Sequence, residues 1–355
     1  MSTVIAHDYL TQRGGAERVA LTLAEGFSAK EIVTSAYVPS QTFPGFSSFA
    51  IRESTHLGLK IFKSDPRRAL PFLAPAWDAM NPVSADVVIC STAGWSHGVP
   101  VADGTRKVVY CHNPARWLYQ TDDFLQDQGF IARAGLAVLR DGLRRWDEQA
   151  VRSADAYIVN STAVADRVRR VYNLDPTVIH PPVSVDVSAD RDPDEKLNPG
   201  FFLSVGRARG YKGVSRLIDA FARTPLKQLV IVGTEHQPTF PSNVVGLGRV
   251  SESRLRWLYA NACALISVSR EDFGLTPIEA NAFGTPSLLL RAGGFLDSTD
   301  VGVSGLFIQD EGRSSIIRAI EAFPEYWDAT AVMAHAQKFS IERFVSQVAD
   351  VVRDA

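Results

Sequence analysis

Short apolar runs alternate with amphipathic stretches at helical spacing along the whole chain, and no other feature limits the fold so tightly. Strands alternating with helices form βαβ units, whose crossovers build parallel sheets. The first series of expected strands is Val4–His7, Ile32–Tyr37, Asp86–Cys90, Lys107–Cys111 and Ala156–Val159, with helices at Ala16–Phe27, Ala132–Arg152 and Thr162–Tyr172. A second series runs through Phe201–Val205, Leu229–Val232, Cys263–Val268 and Ser287–Leu290. Its helices are expected near Val214–Ala222, Glu252–Ala260, Pro277–Phe283 and Ser314–Phe323.

Between the two series stands His180-Pro181-Pro182, which continues neither a helix nor a central strand. The polar Val185–Gly200 stretch after it reads as the linker. The division predicted is therefore 1–183 and 184–339, each a doubly wound α/β domain. Phe344, Val345, Val348 and Val352 make one apolar stripe on a final helix, 340–355, expected to pack back on the first domain. A length of 355 residues supports two domains.

Composition removes several function classes. A net charge of -2 argues against a general nucleic-acid binder. The three cysteines form no C-x-x-C pair, which argues against a disulfide framework and a zinc site and fits a reducing compartment. The first residues lack a basic segment leading into an apolar one, so no signal peptide is expected, and no apolar run would span a bilayer.

The sharpest local signal is Glu271-Asp272-Phe273-Gly274-Leu275-Thr276-Pro277-Ile278-Glu279, directly after the apolar run Ala262–Val268. Pro277 suits a first helical turn and Thr276 its N-cap. The turn at Phe273, Gly274 and Leu275 would present backbone N–H groups at a helix N-terminus, where ligand oxygens bind. Glu271 and Glu279 bracket it, and carboxylates grip sugar and ribose hydroxyls.

This stretch resembles the donor-binding signature of glycosyltransferase family 4. So do Gly206-Arg207-Ala208-Arg209-Gly210-Tyr211-Lys212-Gly213 and the N-terminal run from His7 to Arg18, which contains Gly14-Gly15. The likeness covers nearly the whole chain in the expected order. It implies the GT-B fold, two Rossmann-like parallel-sheet domains facing a cleft, and retaining hexosyl transfer. By the same resemblance Arg207 and Lys212 bind the donor diphosphate, with Gly14 and Gly15 contacting it from the first domain. Glu271 holds sugar hydroxyls, Glu279 the ribose, and His112 the donor sugar near its hydroxymethyl group. Arg116 has a supporting role, and Arg249, in Gly246-Leu247-Gly248-Arg249-Val250, lies near the nucleobase. The residue after His112 is Asn113, where the family pattern has threonine. Asp297 stands where the family often has glutamate, and reads as a helix cap.

With two cations for the diphosphate and a D-x-D motif read as absent, no metal and no cofactor are expected. The mannosyltransferase branch has a similar His-Asn-Pro-Ala-Arg run, which points to GDP-mannose; UDP- and dTDP-sugars stay open, as does a non-catalytic nucleotide-sugar binding subunit. An epimerase would need cleft carboxylates, and a phosphorylase a cofactor lysine motif, neither of which can be assigned.

The acceptor expected is a glycan or a polyprenyl-linked glycan. Basic and apolar residues interleave in His56–Trp77 (Lys60, Lys63, Arg67, Arg68) and in Phe130–Trp146 (Arg133, Arg140, Arg144, Arg145). Such surfaces suit an anionic membrane, and equally two amphipathic helices packing on the sheet; a cytoplasmic protein with weak peripheral contact at the inner face is expected.

Overall fold

The computed structural model describes residues 1–54, 70–120, 130–206 and 212–355. Arg207 and the basic cluster Lys60, Lys63, Arg67 and Arg68 lie outside the described residues. The chain forms two compact units: Met1–Pro181 with Ile341–Ala355, and Pro182–Ser340.

The first unit holds a seven-stranded sheet. Its strands are β1 Thr3–His7, β2 Glu31–Thr34, β3 Ala50–Glu53, β4 Val87–Thr92, β5 Arg106–Cys111, β6 Ala156–Val159 and β7 Thr177–Val178. They pair in the order β3-β2-β1-β4-β5-β6-β7, all parallel. Its helices are α1 Gly15–Gly26, α2 Leu70–Asp78, α3 Arg116–Tyr119, α4 Phe130–Arg152 and α5 Thr162–Tyr172.

Side chains alternate across the pleat, which splits one strand between two cores. Val4 and Ala6 meet Leu73, Trp77, Val164 and Val168 on one face. Ile5 meets Val19, Leu23 and Phe344 on the other. A parallel sheet covered on both faces needs strands that are apolar throughout, which is why β1 and β4 are buried at every position.

The second unit holds β8 Phe201–Val205, β9 Leu229–Val232, β10 Val244–Gly248, β11 Ala262–Ser267, β12 Ser287–Leu290 and β13 Gly305–Ile308. Their parallel order is β10-β9-β8-β11-β12-β13. Helices α6 Val214–Phe221, α7 Glu252–Asn261, α8 Leu275–Ala282, α9 Phe295–Ser298, α10 Arg313–Glu321 and α11 Ala329–Gln337 belong to it. The final helix, α12 Ile341–Asp354, belongs to the first unit. There Phe344, Val348 and Val352 are buried, and a Cβ on Gly26 would stand 2.5 Å from the Val345 side chain. Burying each of those apolar side chains contributes about 1.5–3 kcal/mol.

In each sheet the winding reverses at one place, between β1 and β4 and between β8 and β11. Loops leaving the carboxyl ends of strands on either side of such a reversal diverge, and the crevice they leave is where open α/β sheets bind ligands. That rule directs attention to the residues after β1 and β4, and to those after β8 and β11.

The polar stretch read as a linker is strapped to the second unit. Asp194 pairs with Arg254, the Asp192 N–H donates to the Ser253 carbonyl at 3.2 Å, and Arg256 donates to the Asp190 carbonyl at 2.8 Å. Its Asp and Pro content prevents regular structure without making it a tether.

Candidate functional site

Among the described residues, polar groups gather at the reversal point of each unit. In the first unit, β1 ends at His7 and delivers its ring to the end of β4. His7 Nδ1 lies 2.9 Å from the Ser91 carbonyl and 3.1 Å from Ser91 Oγ. Ser91 Oγ in turn lies 2.8 Å from Nε2 of His112, just past β5. The two imidazoles, 6.5 Å apart and edge-on, share one serine hydroxyl. Burial, helped by His7, drives the His112 pKa from 6.5 down to about 3. His112 is therefore a neutral ring across the ordinary pH range, able to exchange hydrogen bonds but not to act as a cation.

Asn113, where the family pattern has threonine, has a structural explanation. It is buried, and its Oδ1 accepts from Arg167 at 2.6 Å. Its Nδ2 donates to the Pro114 carbonyl at 2.9 Å. Arg116 is the first residue of the short helix α3 and is half-buried.

Gly14 is the N-cap of α1 and Gly15 its first residue, with no side-chain cap on the helix. The space over Gly14 is taken by the protein itself: a Cβ there would stand 2.5 Å from Glu17 Oε2. Glu17 is 2% exposed. Its Oε1 accepts from Gln12 at 2.9 Å, whereas Oε2 is buried with no hydrogen-bond partner. Burial raises its pKa, and His7 opposes that rise. Neither Glu17 nor its neighbour Asp8 was singled out in the sequence. Asp8 is buried and saturated, accepting from Thr92 Oγ1 at 3.0 Å and from the N–H groups of Ala93 and Ser96, each at 2.7 Å. It therefore shapes the loop after β4. A further buried pair, His97 Nε2 with Asp147 Oδ1 at 3.0 Å, receives the Tyr119 hydroxyl on the second Asp147 oxygen at 2.7 Å. No spacing in the sequence announces it.

In the second unit the loops after β8 and β11 meet. Lys212 Nζ lies 2.5 Å from Glu271 Oε1, and Ser269 Oγ donates to the same oxygen at 2.8 Å. Both charged side chains are about one-fifth exposed, at 23% and 21%. Glu271 is further held through its backbone. The Gly294 N–H donates to the Glu271 carbonyl at 3.0 Å, and a Cβ on Gly293 or Gly294 would collide with the Glu271–Phe273 backbone. The Gly293-Gly294 pair thus exists to let one loop lie on another. The Phe273 side chain is core, its ring tilted against that of Phe339 with 5.7 Å between centroids.

Two local expectations change. The N-cap of α8 is Gly274, and Thr276 lies inside the first turn. Gly274 has φ +86°, and a Cβ there would stand 2.5 Å from the Phe295 ring, so only glycine makes this turn. Leu275 follows as the first helical residue, and Pro277 lies in the first turn, with no N–H to lose. Asp297 likewise lies within α9, whose N-cap is Gly294. Glu279 stands one turn into α8, and its Oε2 accepts the Tyr259 hydroxyl at 2.7 Å. Gly246–Gly248 is the bulged end of edge strand β10 rather than a loop, and Arg249 follows it, exposed.

The chain does contain D-x-D spacing, at Asp190, Asp192 and Asp194, contrary to the sequence expectation. These residues sit in the strapped segment, where Asp194 is engaged with Arg254. Among the basic residues of Phe130–Trp146, Arg144 lies over the Tyr119 ring at 5.6 Å and Arg140 donates to the Leu118 carbonyl at 3.5 Å. Among the described residues, no helix is long and apolar enough to cross a membrane.

Comparison with known proteins agrees with this anatomy. The profile described as Glycosyltransferase Family 4 matches residues 13–187, and that described as Glycosyl transferases group 1 matches residues 188–338. A D-inositol 3-phosphate glycosyltransferase of Streptomyces griseus is 29% identical over 258 residues, covering 58% of this chain and 55% of that protein. The chain thus spans about half the length of that relative. Alpha-1,3/1,6-mannosyltransferase ALG2 of Homo sapiens is 26% identical over 312 residues, covering 74% of this chain and 72% of that protein. Among solved structures, Anabaena Alr3699/HepE in complex with UDP and glucose superposes with a TM-score of 0.71 at 17% identity, covering 100% of both chains.

Proposed function

The chain belongs to glycosyltransferase family 4 and has the GT-B fold, and from that premise we propose that it is a retaining hexosyltransferase acting on a nucleotide-sugar donor. The acceptor is a glycan or lipid-linked glycan, in polysaccharide or glycolipid assembly. The observation that carries this reading is the Lys212–Glu271–Ser269 cluster at the β8/β11 reversal, next to the glycine-capped N-terminus of α8.

The residues divide the work by charge. Lys212 and Arg207 neutralise the diphosphate as it leaves, where transition-state charge develops. Glu271 accepts hydrogen bonds from sugar hydroxyls, and the N–H groups of Phe273, Gly274 and Leu275 meet donor oxygens. Glu279 holds the ribose, and Arg249 serves the nucleobase side. Gly14 and Gly15 contact the diphosphate, and neutral His112 hydrogen-bonds the donor sugar. A donor brings phosphates to Lys212 and hydroxyls to Glu271, so one internal ion pair is exchanged for two external interactions.

In the step itself, the bond from the anomeric carbon to the diphosphate oxygen breaks and the acceptor oxygen bonds that carbon on the same face. The acceptor proton passes to the departing phosphate. No side chain serves as a covalent nucleophile, and the two cations take the charge-neutralising role that a metal has in other transferases.

GDP-mannose is the first choice of donor, supported by the run from His112 to Arg116 and by the mannosyltransferase among the relatives. A UDP-sugar is the second, favoured by the UDP-bound structural neighbour. Peripheral contact with an anionic membrane rests on the basic and apolar interleaving alone. A thermal-shift panel of GDP-mannose, UDP-glucose and dTDP-glucose tests the donor. Saturation at 100 times Kd adds about 2.7 kcal/mol of stability, a rise of several degrees. A larger shift with a UDP-sugar would move the donor assignment. NMR of the product reads the anomeric outcome, and inversion would overturn retention. Turnover should survive EDTA; loss restored by magnesium or manganese would overturn metal independence. No shift and no turnover with any of the donors would overturn the reading as a whole.

A further inference from the structure

The hydroxyl of Tyr259 and the carboxylate of Glu279 meet at 2.7 Å, and no role assigned so far uses the tyrosine. Tyr259 lies on α7 and is 1% exposed. Its ring stacks on Phe283, at the end of α8, with 5.9 Å between centroids and 21° between planes. Its carbonyl accepts the Thr285 hydroxyl at 2.5 Å. The phenol is thus fixed from both sides against the end of the helix that carries Glu279. Glu279 itself is partly exposed.

A glutamate has three side-chain torsions, and holding it still for a ligand costs entropy at the moment of binding. A buried phenol that donates to one oxygen prepays that cost. It also orients the second oxygen, because the two carboxylate oxygens are rigidly related.

We propose that Tyr259 is the positioning residue for ribose recognition: it fixes Glu279 by Oε2 so that Oε1 meets a ribose hydroxyl of the donor nucleotide. This rests on the reading of Glu279 as the ribose-binding group. The phenol touches no substrate. It acts through Glu279, so its removal weakens the distinction between a ribonucleotide and its deoxy analogue rather than the chemistry of transfer.

The test measures, by calorimetry, the affinity of GDP and UDP and of their 2′-deoxy and 3′-deoxy forms. It compares the wild-type chain with Tyr259→Phe and Glu279→Ala. The wild-type chain is expected to prefer the ribonucleotide by about tenfold over at least one deoxy form, the worth of one hydrogen bond to a charged group. In Tyr259→Phe that ratio should fall to about threefold or less, with KM for the donor raised and kcat nearly unchanged. In Glu279→Ala it should vanish. A Tyr259→Phe chain that keeps the wild-type ratio overturns the proposal, even if it melts earlier or binds every nucleotide more weakly. A Glu279→Ala chain that keeps the ratio overturns the ribose assignment itself, a separate failure. Tyr259→Met removes the donor with a flexible filler and gives the same readings if the phenylalanine variant does not fold.

Discussion

The β1/β4 reversal of the first unit and the β8/β11 reversal of the second occupy the same place in two sheets of like winding, yet they treat charge in opposite ways. Around β1 and β4 the ionisable groups are enclosed. His112 is held neutral by burial, and Glu17 is pushed toward its protonated form. Asp8 there is surrounded by N–H and hydroxyl donors. Around β8 and β11 the groups are charged, paired with each other and partly open to water. One topology thus supports two kinds of polar site. Enclosure produces groups that hydrogen-bond in a set geometry, whereas partial exposure keeps charges that an anionic ligand can recruit.

The largest effect should come from breaking the charged side. Lys212→Ala is expected to lower turnover about a hundredfold, equal to ~3 kcal/mol of transition-state stabilisation. Arg207→Ala should act similarly, and the double variant should lose less than the product of the two, because both serve one leaving group. Lys212 is not a freely solvated cation: it is mostly buried against Glu271, so its removal should also cost ~1–2 kcal/mol of stability. Steady-state kinetics beside thermal melts separate the two effects. Near wild-type turnover with saturating donor would remove Lys212 from the diphosphate.

On the enclosed side, His112 provides the next largest effect. Its folded pKa of about 3 lies below its ordinary 6.5, so the unfolded chain takes up the proton first. Stability contributed by the neutral ring is complete above pH 6.5 and is lost as pH falls toward 3. The slope reaches at most about 1.4 kcal/mol per pH unit, or about 2 kcal/mol by pH 5. His112→Gln should lack that share of the slope. Melting curves from pH 7 to pH 4 check this, and equal slopes in both proteins would show that the ring is not enclosed.

The smallest effect sharpens the contrast at Glu17. Its folded pKa is raised, so the proton stabilises the fold fully below about pH 4.5, and that contribution is lost as pH rises through the folded value. Glu17→Gln, which stays neutral, should therefore be more stable than wild type at pH 7 and nearly equal to it at pH 4. If the glutamine variant melts lower at pH 7, the carboxylate is ionised and needed. The two units would then resemble each other more than their burial indicates.

Much of the frame was legible in advance. The strands Ala156–Val159, Phe201–Val205, Leu229–Val232 and Ser287–Leu290, and the helix Thr162–Tyr172, have the bounds read from apolar runs and helical periodicity. The edge strands were not legible. Ala50–Glu53 carries Arg52 and Glu53, Val244–Gly248 carries two glycines, and Thr177–Val178 is too short to show a pattern. An edge strand is covered less completely, so its sequence is under less demand to be apolar, and its pairing is imposed by the neighbour.

The candidate site divides along the same line. The order of strands and helices and the chemical types available at strand ends follow from the amino-acid sequence alone. They do so because hydrophobic period and glycine placement are local properties. The sequence placed Glu271, Glu279 and Lys212 after the right strands, and Gly274 at the turn it alone can make. Folding in three dimensions is what brings Lys212 to Glu271, 59 positions apart, sets Tyr259 against Glu279, and fills the space over Gly14 with Glu17. It alone decided that His112 is neutral. Those outcomes depend on which loops the sheet reversals bring together and how much water they exclude, and neither contact nor desolvation is a property of a residue's neighbours in sequence.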